Sequence, residues 1–393
     1  MISKILTGTL VSAVTLLTIM GCGDKNNEVD ETSITPYQRV AVIPGTTADI
    51  QAIALKISDY VVATDEKTVL GFPSNWVIAG ANPHAGETYD GNADLIPIPV
   101  NTGTKVYKSR VIEFCNGPYA TQATNTGQQH GSALPCEVAV HSDGENVYVD
   151  MLDADAIFTI FFPGIADPDG KLKGMAEAVK NEIRTMIMTS LEDVTGLKES
   201  TLALGPKFTK TELSRIQDED IYLVTEYKST TGAAFTKADA KKLAQTIIEK
   251  MGTDAANADV HVAGLSAGSK WRSARVDPIA IPGVFVTEAC SPTYAKMATR
   301  LGAEYITALP CEITAYLDKS DDTNKTLSIS ILSPQFMFEN MFKGAVENAV
   351  KNTGLSQADA NEYNTLASIV LGDLNKIVDA AVADSGLSLT KAP

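Results

Sequence analysis

One stretch constrains what this chain can fold into more than any other, because it occurs twice. Residues 111–137 open V-I-E-F-C-N-G-P-Y-A-T-Q-A-T, pass through a polar loop and close on S-A-L-P-C-E. Residues 286–312 open V-T-E-A-C-S-P-T-Y-A-K-M-A-T and close on T-A-L-P-C-E. Aligned without a gap at an offset of 175, they share 13 identities in 27 positions. Among these are Glu113/Glu288, Cys115/Cys290, Tyr119/Tyr294, Cys136/Cys311 and Glu137/Glu312. Repetition at this level reads as a tandem duplication, one unit built twice. A chain of 393 residues gives each unit enough length to bury a core of its own.

Around that stretch the periodicities predict the same order in each half. In the first, 38–43 is a strand, and a helix starting at Thr47-Ala48-Asp49 carries Ile50, Ile53, Leu55, Ile57 and Val61 on one face. Strands follow at 76–79, 95–100 and 111–115, then a helix over 118–126. Strands 137–141 and 146–151 form a hairpin, and helices cover 154–162 and 175–191. In the second, 221–227 is a strand and Thr236 caps a helix to about residue 251. Strand 327–332 is the hairpin partner, as 146–151 is in the first half, and helix 335–342 matches 155–162. Ala178-Val179-Lys180-Asn181 matches Ala349-Val350-Lys351-Asn352, and a last helix, 358–384, has no counterpart. The expected class is α+β, two homologous repeats, each a mainly antiparallel sheet with helices on one side. The repeats are placed at 37–198 and 216–393.

The first 21 residues read as a signal peptide: Lys4 gives a positive start, and an uncharged, mostly apolar run follows to Met20. Ile19-Met20-Gly21-Cys22 resembles the lipobox of bacterial lipoproteins. That resemblance makes Cys22 the lipidated first residue and the membrane the partner it touches. Residues 22–36 are then a polar tether. Gly23 after the cysteine leans toward the outer membrane, so the expected place is the periplasm-facing cell envelope. The net charge of −16 excludes nucleic acid as a partner, since a phosphate backbone demands clustered Lys and Arg.

The repeated unit also resembles a bacterial and archaeal family known as domain of unknown function 302. The matching residues are Cys115-Asn116, Tyr119-Ala120 and Leu134-Pro135-Cys136. In the second copy they are Cys290, Pro292, Tyr294-Ala295 and Leu309-Pro310-Cys311. The first copy departs by inserting Gly117 before Pro118, and the second has Ser291 for Asn. The resemblance implies an α+β, saddle-shaped sheet of the TATA-binding-protein type and no established activity.

Four cysteines remain for chemistry. Outside the cytoplasm they invite disulfides Cys115–Cys136 and Cys290–Cys311, each closing a loop of about 20 residues and stabilising by roughly 3 kcal/mol. The bond requires Cα atoms within about 7 Å. A metal site is the sharper reading, from Cys115, His130 and Cys136. The second copy speaks against it, since His130 becomes Tyr305. A thiol-based redox site is the third: a helix amino terminus beside Cys115 and Cys290 favours thiolate, while Glu113 and Glu288 oppose it. No C-x-x-C occurs, and no cofactor is implied. Gly264-Leu265-Ser266-Ala267-Gly268 spells a nucleophile elbow, but no His follows Ser266. Asp318, Asp321, Asp322 and Asn324 read as a hairpin loop rather than a calcium site. The aromatics Phe158, Phe161, Phe162, Phe336, Phe338 and Phe342 read as core. The expectation is a binding or interaction module for a small ligand or an envelope protein. Its ligand or redox candidates are the four cysteines, Glu113, Glu288, Tyr119 and Tyr294.

Overall fold

The structure, a computed structural model, describes residues 33–63, 67–69, 72–74, 76–82, 96–99, 106–134, 136–251, 253, 271–273, 276–308, 311–352 and 354–393. The expected signal peptide, Cys22, the tether as far as residue 32 and the Ser266 stretch lie outside the described residues.

The first half begins with β1 (Tyr37–Pro44). Thr46 and Asp49 form a capping box ahead of α1 (Ile50–Ala63), so the predicted helix start is realised by its polar residues. Ile50, Ile53, Ile57 and Val61 are buried, whereas Leu55 is 42% exposed. Five residues past Ile50, it has turned off the core face. A small hairpin, β2 (Lys67–Val69) and β3 (Phe72–Ser74), precedes β4 (Trp76–Asn82), β5 (Ile96–Pro99) and β6 (Val106–Asn116). Then come α2 (Gly117–Thr126), a 3-10 segment (Gln128–Ala133), β7 (Cys136–Ser142), β8 (Asn146–Leu152), α3 (Ala154–Phe161) and α4 (Lys171–Ser190).

Short elements β9 (Lys198–Glu199), β10 (Ala203–Leu204), α5 (Lys210–Leu213) and α6 (Asp218–Ile221) lead to the second half. That half runs β11 (Tyr222–Ser229), α7 (Lys237–Lys250), β12 (Arg272–Ser273), β13 (Ile279–Ile281), β14 (Val284–Cys290) and α8 (Pro292–Leu301). A second 3-10 segment (Ala303–Ala308), β15 (Cys311–Leu317) and β16 (Thr326–Leu332) follow. The chain finishes with α9 (Pro334–Phe336) running into a π turn (Met337–Met341), α10 (Ala345–Asn352), α11 (Gln357–Glu362), α12 (Leu366–Asp384) and β17 (Leu389–Lys391).

Mixed helices and antiparallel sheets make the class α+β. Among the described residues the larger sheets have the order β10-β1-β8-β7-β6-β4 and β12-β14-β15-β16-β11-β17. Their centres correspond, β1-β8-β7-β6 against β11-β16-β15-β14, and every described pairing is antiparallel. Successive residues of a strand face opposite ways. On β6, Ile112 and Phe114 join the core beneath α1 and α4, while Val111 and Cys115 belong to clusters that include residues of the second half.

Each sheet therefore has helices on one face and the other half of the molecule on the opposite face. The contact is reciprocal. The 3-10 segment after α2 lies on β14, β15, β16 and β11, and the segment after α8 lies on β6, β7 and β8. Matching rings lock it. Tyr37 of β1 meets Tyr305, which stacks on Phe342; Tyr222 of β11 meets His130, which packs on Phe162. The Tyr37 hydroxyl donates to the Met341 carbonyl (3.1 Å) and that of Tyr222 to the Phe161 carbonyl (2.7 Å). Burying a ring of this size contributes about 2–3 kcal/mol, and the hydroxyl has to find an acceptor when it goes in.

One expected correspondence is corrected. The place of α4 in the second half is taken by α12, not by α10: α4 packs with α1 as α12 packs with α7. The four-residue identity was too short to fix the correspondence, and the apolar stripe of the last helix packs on α7 instead. The run expected as one helix over 358–384 is broken by a 3-10 turn (Tyr363–Thr365). The loop at Asp318–Asn324 is a hairpin turn whose carboxylates bind their own backbone.

Candidate functional site

The repeated stretch supplies one wall of a pocket in each half. In the first, β6 ends at Asn116, whose Oδ1 accepts from the Tyr119 amide (3.4 Å) and caps α2. Tyr119, in the first turn of α2, then points toward α4. The pocket is lined by Trp76, Phe114, Cys115, Asn116, Tyr119, Ala123 and Cys136, with Phe158, Phe162 and Val179 opposite, and has a volume of about 70 Å³. In the second half Trp271, Cys290, Ser291, Tyr294, Ala298 and Cys311 face Phe338, Phe342, Leu366 and Val370 around about 50 Å³.

Behind each pocket sits a carboxylate that the periodicity hid. Glu182 accepts from Trp76 Nε1 at 2.6 Å and from the Tyr119 hydroxyl. Asp373 accepts from Trp271 Nε1 at 3.2 Å and from the Tyr294 hydroxyl at 2.9 Å. Both acids are buried. An ionised carboxylate is acceptor-only and takes two such donors without leaving either unmade. Burial first, then the bond to Glu182, raises the Tyr119 phenol well above its usual value. Two signals were available in the sequence. Glu182 and Asp373 interrupt the apolar stripes of their helices, and the chain has two tryptophans, one per half.

All four cysteines line these pockets, with no disulfide among them. The expected disulfides are absent for a reason of register. Cys136 pairs with Phe114 and Cys311 with Ala289, so each lies one position off Cys115 or Cys290 and faces the other side of the sheet. Burial, then Glu137 and then Cys115, pushes the Cys136 thiol far up; burial, Glu312 and Cys290 do the same to Cys311. Such thiols stay protonated and are poor nucleophiles. The carboxyl acting on Cys136 is Glu137, next to it.

The weak metal set does not assemble. His130 is bound through Nδ1 to Thr126 (2.6 Å) and through Nε2 to Asp218 (3.2 Å), inside the contact between halves. Among the described residues no group of three His, Cys, Asp or Glu side chains is placed to hold a metal ion.

Glu113 and Glu288 are buried but are not among the pocket walls. They pair across the strands with Glu137 and Glu312. Where the halves meet, Glu137 and Glu312 line one cavity, and two buried carboxyls this close favour holding a proton between them. Burial, followed by the neighbouring glutamates, pushes both carboxyls well above the usual range. The cavity has a volume of about 30 Å³. Its walls Leu152 and Ile157 are shared with the first pocket, and Leu332 and Met337 with the second.

Residues 100–190 match the family model described as domain of unknown function DUF302. The matched DUF302 segment contains β6 to α4, hence most of the first pocket. No curated protein sequence matches the chain. Among solved structures, the chain is similar to an uncharacterized conserved protein DUF302 from Bacillus stearothermophilus. The two are 11% identical, with 39% of this chain and 97% of that one covered and a TM-score of 0.26. It is also similar to two di-domain ARO/CYC proteins. BexL of the BE-7585A biosynthetic pathway is 10% identical over 88% of this chain and 98% of its own, with a TM-score of 0.19. StfQ of the steffimycin biosynthetic pathway is 11% identical over 89% and 99%, with a TM-score of 0.20.

Proposed function

We propose that this chain is a lipid-anchored binding module of the bacterial envelope, built from two homologous DUF302-type repeats that each hold one small apolar ligand. The observation that carries the reading is the doubled pocket. In both halves a Trp, a Tyr and two thiols surround an apolar space, and the polar ends of Trp and Tyr are spent on one buried acid. A concave, mostly apolar site with few polar groups is what small-ligand binding needs. The raised thiols of Cys136 and Cys311 favour binding over thiol redox chemistry. The two repeats as copies of one saddle-type unit rest on the 13 identities and on the matched strand orders. Anchoring rests on the lipobox-like Ile19-Met20-Gly21-Cys22 alone.

Fluorescence titration with the apolar probe N-phenyl-1-naphthylamine tests the binding. Saturable uptake at two sites is expected, with Ala123→Trp removing one and Ala298→Trp the other. Absence of saturable uptake sinks the reading. For the anchor, radiolabelled palmitate should enter the wild-type chain and not Cys22→Ser.

A further inference from the structure

We infer that the ligand of each pocket carries a neutral carbonyl group, whose oxygen accepts a hydrogen bond from Asn116 Nδ2 in the first half and from Ser291 Oγ in the second. This rests on the reading of the pockets as ligand sites and names what they take.

Asn116 and Ser291 are each 3% exposed, occupy the same place in the two halves and line the two pockets. Asn116 Nδ2 and Ser291 Oγ are buried polar atoms with no hydrogen-bond partner. The Asn116 amide cannot turn round to hide its NH₂ group, because Oδ1 is the cap of α2. Ser291 stands at the same helix end and makes no side-chain cap. A buried donor left unmade costs roughly 1–3 kcal/mol, so a polar atom facing an apolar space in both halves marks where a ligand atom belongs. Both sites sit at the amino terminus of a ten-residue helix, where N–H groups and the dipole favour an oxygen.

The rest of each pocket sets the charge and class of that ligand. The donors of Trp76 and Tyr119 are engaged by Glu182, and those of Trp271 and Tyr294 by Asp373. A hydrogen-donating ligand finds the first pocket's strongest acceptor already used. An anionic ligand meets Glu182 or Asp373 behind the aromatic wall. A ketone, ester or amide oxygen on an aliphatic or aromatic group fits both conditions.

The two tryptophans give a separate reporter for each pocket. In ¹⁵N-labelled protein, the indole N–H signals of Trp76 and Trp271 are followed while acetophenone, ethylbenzene or benzoate is added. Acetophenone should bind about 5–10-fold more tightly than ethylbenzene, the worth of one net hydrogen bond, and benzoate should not bind. Asn116→Asp keeps the capping oxygen and removes the donor, and Asn116→Leu removes both. Each should bring the ratio at the Trp76 signal to about one and leave Trp271 unchanged, while Ser291→Ala does the reverse. Equal binding of acetophenone and ethylbenzene, or a preference that survives both Asn116 variants, overturns the inference while the pockets stand as apolar sites. If none of the compounds moves either indole, the pockets are not ligand sites and both readings fail together.

Discussion

The two halves agree in their pockets and disagree on the strand faces turned toward each other. In the first half, Arg39 of β1 grips Asp150 of β8 through Nε (2.8 Å) and Nη2 (3.1 Å), and His141 Nε2 reaches the same carboxylate at 2.8 Å. The guanidinium also lies 4.0 Å above the Tyr148 ring. At the corresponding places the second half has Val224, Ser330, Tyr316 and Ser328, with no charge among them. The ring chains, the Tyr-to-carbonyl ties and the Trp–Tyr–acid sets are the same in both. The fold tolerates a charged cluster or a neutral one on that face, but it has one way of building the pocket. That contrast separates what a half needs in order to fold from what shapes its pocket.

The largest expected effect breaks the cluster. Burial would raise the Asp150 carboxyl, yet the His141 ring and the Arg39 guanidinium outweigh it and hold it below the usual carboxylate range. Asp150→Ala strands both partners and should cost about 3–5 kcal/mol. Ser330→Ala, at the matching place, removes a buried hydroxyl that has no hydrogen-bond partner and should cost under about 0.5 kcal/mol. Urea unfolding of the two variants compares them directly, and equal midpoints would deny the cluster any structural role. Because the folded carboxyl titrates low, its contribution is present above the unfolded value near 3.9 and is lost as pH falls through the folded one. Acid unfolding should accordingly be less steep in Asp150→Asn.

Next in size come the acids behind the pockets. Glu182→Ala and Asp373→Ala each orphan an indole N–H and a phenol O–H, and should cost about 2–3 kcal/mol. If the halves are equivalent here, the two losses agree to within about 1 kcal/mol. A larger loss for Asp373 would trace to Lys376, whose Nζ lies 3.4 Å from Oδ1 and loses its partner as well.

What sequence reading could reach divides along the same line. The order of strands and helices in each half, the hairpins, the helix start near Thr47 and the cap at Thr236 were legible, because period and turn chemistry are local. The cysteines, Tyr119 and Tyr294 were found through their repetition, and they do line the pockets. Three things were not legible. The alternate facing of Cys115 and Cys136 depends on a one-residue register that no local pattern fixes. Glu182 and Asp373 look like ordinary polar breaks in amphipathic helices until a Trp and a Tyr arrive from about 60–110 residues away. The reciprocal seating of the 3-10 segments depends on both halves at once, so neither copy alone announces it.

That seating gives a sharper, smaller test. Gly131 and Ile306 hold the same position in the two segments. A Cβ on Gly131 would come within 2.9 Å of Thr314 and Val284, whereas Ile306 packs on Val111 and Ala139. Ala139 is the counterpart of Thr314, so a small residue on one side answers a large one on the other. Gly131→Ala should cost about 1–2 kcal/mol through overpacking, and Thr314→Ala should recover part of it. Non-additivity in the double-mutant cycle is the measurement, and simple addition would mean that the two groups do not press on each other.

The smallest effect is expected where the comparison closes on itself, at Glu137 and Glu312. Each is the other's counterpart, and they face one another across the join, so no exchange of large for small or charged for neutral can relieve them. Their folded pKa values are raised by burial and then by nearby carboxyls. For an acid shifted this way, the stabilising proton is held fully below the unfolded value near 4.3. It is given up as pH rises through the folded one, so stability declines with rising pH in that window. Replacing both residues by Gln keeps a donor facing an acceptor and removes the titration. The double variant should therefore gain on the wild type by about 1 kcal/mol or more between pH 5 and pH 8, read as the difference between their urea unfolding free energies. The difference is the right quantity, because Glu304 is also raised by burial and titrates in both proteins alike. Parallel curves over that range would mean that the carboxyls do not share a proton, and that the two halves meet without one.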